Sequence, residues 1–123
     1  MHANSPYAGI AMVMVVTLEV FSGRPNPEWD LAPAQRADFE RRMAALPALT
    51  VGISGPDEPL GYRGFSVRGL EAPIRVFHGQ VINGPQALAD PGRRLERWLL
   101  DSGRSTIDPT LATYVDTEIA TGP

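Results

Sequence analysis

The chain has 123 residues, 43% hydrophobic and 20% charged, a balance that suits one globular domain and neither a disordered nor a membrane-embedded chain. It contains no cysteine, which excludes disulfides, thiolate metal sites and a cysteine nucleophile. Its net charge is −3 and all 11 basic residues are arginine, so lysine chemistry is absent and the charge balance, a local arginine patch aside, argues against a nucleic-acid binder.

The N-terminal residues 1–11 read as a flexible lead-in, and residues 12–123 as a single domain. The apolar run Ile10–Val16 has no arginine before Arg24. It therefore lacks the positive start of a signal peptide, and it is far shorter than the ~20 residues that span a bilayer. This points to a cytoplasmic protein with no membrane partner, whose natural start is Met1, Met12 or Met14.

Met12–Phe21 is β-branched and alternating, with Met14, Val16, Leu18 and Val20 on a wholly apolar face. That pattern predicts a strand with its even face on the core. The block Ser22-Gly23-Arg24-Pro25-Asn26-Pro27 stops it, because each residue before a proline is held away from helix. Trp29 and Leu31 follow as an apolar pair. Ala34–Leu46 predicts a helix, opened by Pro33 and ended by Pro47, that packs through Phe39, Met43 and Leu46. A short strand is possible at Leu49–Ile53, before the proline- and glycine-rich loop Ser54–Pro59.

Gly61–Leu70 and Ile74–Ile82 read as two further strands, joined by Ala72-Pro73 into an antiparallel hairpin. In this reading His78 lies mid-strand, on the face of Ile74, Val76 and Gln80, and Asn83-Gly84-Pro85 ends the strand. Pro91–Ser102 predicts a second helix, with Asp90 as N-cap and Leu95, Trp98 and Leu99 on its packing face. Gly103 would then be its left-handed C-terminal residue, with Arg104 beside the negative helix end. Asp108-Pro109 opens a third, short helix over Leu111–Ile119. The order implies an α+β domain: a mixed or antiparallel sheet with the helices on one face.

Motifs of catalysis are missing. His2 falls in the lead-in, and His78 has no companion at metal-ligand spacing, so no metal and no cofactor is expected. No nucleophile elbow or phosphate loop is present. Two segments carry more than a turn needs. Phe21–Trp29 combines two prolines with Arg24, Asn26 and Trp29, and Leu60–Phe65 sets Tyr62 and Arg63 between glycines. Rigid loops bind without an ordering cost, and arginine and tryptophan are enriched at binding hot spots. The structural alternative stays open: Trp29 plugging the core, Arg24 paired with an acid such as Glu19, and the glycines breaking an edge strand.

The block Phe-Ser-Gly-Arg-Pro-Asn-Pro-Glu-Trp at Phe21–Trp29, with Leu-Gly-Tyr-Arg-Gly at Leu60–Gly64, resembles small bacterial proteins of pathways that modify ribosomally made peptides, the crocagin type among them. The resemblance implies a peptide-binding role toward a precursor peptide. The residues themselves suggest a peptide added to a strand edge, with Arg24, Asn26, Trp29, Tyr62 and Arg63 as its site. Those two arginines would favour an acidic peptide or a free carboxylate. Two alternatives remain: a small enzyme that cyclises or modifies the peptide through Glu19, His78 and Tyr62, and a homodimer built on a self-complementary face or edge.

Overall fold

The structure, a computed structural model, describes residues 13–50, 61–69 and 71–121. The lead-in, most of the expected Leu49–Ile53 strand and the Ser54–Pro59 loop lie outside them.

The elements run β1 (Val15–Leu18), β2 (Glu28–Asp30), α1 (Pro33–Ala44), β3 (Phe65–Arg68), β4 (Ile74–Phe77), β5 (Gln80–Asn83), β6 (Gln86–Ala89), a 3₁₀ turn (Pro91–Arg93), α2 (Arg94–Ser102) and α3 (Pro109–Thr121). They form one six-stranded sheet in the order β2-β1-β3-β4-β5-β6, antiparallel throughout. The domain is α+β, as its element order implies.

Period-two alternation makes one sheet face apolar. Val16 lies between Trp29 and Val67, and Leu18 beside Phe65. Val67 and Phe65 in turn meet Ile74 and Val76, and Val76 meets Val81. All are buried, and they form one core with Phe39 of α1, Leu95, Leu99 and Leu100 of α2, and Ala112, Val115 and Ile119 of α3. The three helices therefore share that face. Met43, Leu46 and Trp98 pack against the same core, with Trp98 stacked on Phe39 at 6.2 Å.

The opposite face is polar and held by side-chain bonds. Thr17 donates to Glu28 (3.2 Å), Ser66 donates to Glu19 (2.8 Å), and Arg68 pairs with Glu28 (3.0 Å). The first two link neighbouring strands and the third reaches across β1 from β3 to β2, so they hold the register of three strands without needing a covering layer.

Several expected elements take a different form. Ile74–Ile82 is two strands, because His78 (φ 59°) and Gly79 (φ 82°) form a two-residue turn between β4 and β5. Positive φ at both central positions suits the right-handed twist of a tight hairpin. His78 is thus an exposed turn residue. Asn83-Gly84-Pro85 is a second tight turn, leading into β6. Trp29 and its neighbours form β2, which was expected only as an apolar pair.

The second helix also breaks near its start. Gly92 (φ 67°) and Arg93 (φ 55°) leave the right-handed region, so regular helix begins at Arg94. Gly103 has φ −115° and is no left-handed cap. Its lack of a Cβ serves packing instead: a Cβ there would collide with the ring of Trp29. α3 begins at Pro109 and runs past the expected end to Thr121.

Candidate functional site

Two places gather polar chemistry: a cluster inside the core, and the surface around the Phe21–Trp29 loop.

The inner cluster centres on Glu96 of α2, which has no exposure to solvent. Oε1 accepts hydrogen bonds from the His78 main-chain N–H (3.0 Å) and from Arg93 Nε (2.9 Å). Oε2 accepts from Arg93 Nη2 (2.8 Å) and from the Tyr62 hydroxyl. Arg93, 4% exposed, also reaches the Glu118 carbonyl of α3 (3.5 Å). The left-handed turn at Arg93 brings its guanidinium alongside Glu96, and the bidentate fork satisfies both charges.

Asp90 fixes the cluster from outside the helix. Its Oδ1 and Oδ2 accept from the N–H groups of Leu95 (2.8 Å) and Glu96 (3.0 Å). Burial pushes the Asp90 carboxyl up from its ordinary range, and those two N–H groups pull it back toward the charged form. Asp90 is thus the cap that the sequence suggests, but it acts across the 3₁₀ turn rather than on the residues next to it.

Burial, and then the negative charge of Glu96, push the Tyr62 hydroxyl far above the ordinary phenol range. Tyr62 therefore stays protonated and donates. Its ring packs edge-on against Phe65 (6.0 Å) and Phe77 (5.7 Å). Tyr62 and His78 both meet Glu96, yet His78 does so through its backbone while its imidazole stands in solvent. Glu19, the third candidate acid–base group, sits on the polar sheet face, bonded to Asn26 and Ser66. These three do not present their reactive atoms to one cleft. Among the described residues there is also no group of three His, Asp or Glu placed to hold a metal ion.

The surface loop divides the expected site residues by role. Asn26 is used in building the loop. Its Oδ1 accepts from the N–H groups of Val20 (3.0 Å) and Phe21 (2.7 Å), and its Nδ2 donates to Glu19 (3.1 Å). Trp29 is buried in the core, edge-on to Phe65 at 6.4 Å, and its indole N–H donates to Ser102 (2.9 Å). It is only 7% exposed, as is Tyr62. Arg24 remains exposed, with its guanidinium 3.8 Å above the centre of the Phe21 ring rather than paired with Glu19. Arg63 is half-buried and donates to the Phe21 carbonyl (3.0 Å).

The two expected segments touch. The Arg63–Phe21 bond joins them, and just before the loop Arg63 N–H donates to the Glu19 carbonyl (2.8 Å) and Glu19 N–H to the Gly64 carbonyl (2.9 Å). A Cβ at Gly64 would strike the Val76 carbonyl and Phe77, so this residue is glycine because β4 runs directly against it.

The sheet edges differ. At β6 the segment after α1 covers the edge: Leu49 N–H donates to Ala87 O (3.0 Å) and Ala89 N–H to Pro47 O (2.8 Å). At β2 the phase is set by Leu18 N–H to Pro27 O (3.0 Å) and Leu31 N–H to Met14 O (2.9 Å). Pro27, Trp29 and Leu31 thus turn their main chain inward to β1, and Glu28 and Asp30 turn theirs outward. Among the described residues nothing pairs with that outer row. Two shallow recesses, of about 310 and 250 Å³, lie among helical residues around Trp98 and Leu95, and none of the expected site residues lines them.

No signal in the sequence singled out Glu96, Arg93 or the β2 edge. Arg93 and Glu96 stand three apart, the spacing of an ordinary surface ion pair. Comparison with protein-family models, with curated proteins and with solved structures found no match to this chain.

Proposed function

We propose that the protein is a binding module that takes an extended peptide onto the outer edge of β2, with Arg24 at the rim. One observation carries this reading: β2 leaves the main-chain groups of Glu28 and Asp30 unpaired among the described residues, whereas the other edge of the sheet is closed by residues 47–49. Strand addition needs such a row of donors and acceptors, held rigid in advance. The rigidity comes from Asn26, which ties the preceding loop to Glu19, Val20 and Phe21.

The resemblance of Phe21–Trp29 and Leu60–Gly64 to proteins of peptide-modifying pathways would make the ligand a precursor peptide. The enzyme reading has less support, because Tyr62 is buried and protonated and His78 is exposed and meets Glu96 through its main-chain N–H. A homodimer formed on an apolar patch of Trp29 and Phe21 has less support too, since Trp29 is buried and Arg24 covers the Phe21 ring.

The test is selection from a randomised heptapeptide library, followed by amide chemical-shift mapping with the selected peptides. Shifts centred on residues 24–30 are expected. Failure to select any peptide, or shifts centred elsewhere, would overturn the reading.

A further inference from the structure

We infer that the peptide lies antiparallel to β2 with its free C-terminal carboxylate at Arg24 and a basic side chain opposite Asp30. This inference rests on the binding reading above and adds its direction and charge.

The argument starts from the two ends of the edge. β2 begins next to the loop that carries Arg24 and ends at Asp30. A strand running antiparallel therefore finishes at the end of β2 from which the Arg24 loop leads in, and a parallel one starts there. Arg24 is exposed, and the Phe21 ring beneath it holds the guanidinium in place. A held guanidinium is matched to a carboxylate fork and repels a peptide amino terminus. The antiparallel direction is thus the one the charge selects.

The second half comes from the residues along the edge. Glu28 and Asp30 share the polar sheet face with Thr17 and Val15, their partners on β1. In antiparallel addition the ligand residues opposite them lie on that same face, within ~5.5 Å. Glu28 is already paired with Arg68 and bonded by Thr17. Asp30 is exposed, and no ion pair to it is described. An acidic ligand residue opposite Asp30 is disfavoured and a basic one favoured. The peptide is therefore not simply acidic, as the two arginines alone would suggest.

The same charges argue against a second copy of this chain as the occupant. Two β2 edges paired about a twofold axis would set Glu28 and Asp30 against Glu28 and Asp30, and like charges directly opposite destabilise a strand pair.

The experiment uses the selected heptapeptides, resynthesised with a free C-terminus, as the C-terminal amide, and with glutamate replacing the basic residue. Amidation or the glutamate exchange should each weaken binding roughly tenfold, the scale of one charge-assisted hydrogen bond. Arg24→Ala should remove the carboxylate preference, and Asp30→Lys should reverse the charge preference. Both residues are exposed, so the melting temperature should stay constant as the check on folding. Peptides that shift residues 24–30 yet bind equally well as amides, or with glutamate, would overturn the direction and charge while leaving the edge-binding reading intact. If no peptide shifts those residues, the edge-binding reading falls, and this inference with it.

Discussion

Glu96 accepts hydrogen bonds from a turn, a helix start and the strand-leading Tyr62 at a point without solvent. Removing one member of such a set leaves its partner charged and buried, which costs more than the pair gains when intact. Glu96→Ala should therefore lower stability by about 3–5 kcal/mol in urea denaturation. A loss under about 1 kcal/mol would mean that water replaces the carboxylate around Arg93. Tyr62→Phe removes only one of the donors to Glu96 and should cost less. Spacing could not separate this pair from a surface pair, because the difference lies in what α3 and β4 place around it. Trp29 was legible only as a choice between core and anchor. What decides the choice is Ser102 and Gly103, which are distant in sequence and cup the indole only in the folded chain.

At the scale of elements, α2 owes its start to Asp90 rather than to its own first residues. The carboxylate spans the 3₁₀ turn to reach two N–H groups of the first helical turn. Asp90→Ala should cost about 1–2 kcal/mol, the upper range for loss of an N-cap, measured as a fall in the urea midpoint. An unchanged midpoint would show that the turn at Gly92–Arg93 sets the helix without its cap. Asp90 was legible as a cap; the break behind it was not, since Gly92 and Arg93 follow Pro91 in a run that also suits a continuous helix. The long strand expected at Ile74–Ile82 hid its turn, because Val81 and Ile82 are both apolar and the run fits either phase. Only the folded chain shows Ile74 and Val76 buried at even positions and Val81 buried at an odd one. A change of phase within one apolar run marks a turn, and histidine is among the few residues besides glycine that take positive φ there.

For the molecule as a whole, the class and the shared core followed from apolar stripes that pointed the same way: Val16/Leu18/Val20, Phe39/Met43/Leu46 and Leu95/Leu99. Strand order was less legible, because β1 lies between β2 and β3 and its pairing with β3 spans the whole of α1. The sheet thus contains two kinds of pairing. β3 to β6 form a meander of successive hairpins, two of them closed by two-residue turns, whereas Leu18 must find Phe65 across a long stretch of chain. Closing a short loop costs less entropy, so contacts inside the meander should form first. Val76→Ala and Val81→Ala should then slow folding, with φ-values of about 0.5 or more, and Val16→Ala should mainly speed unfolding. Equal φ-values in the three would remove the distinction. The consequence for the newborn chain is a matter of timing. β1 and β2 leave the ribosome first and can pair with each other, yet the second side of β1 stays open until α1 and then β3 have followed.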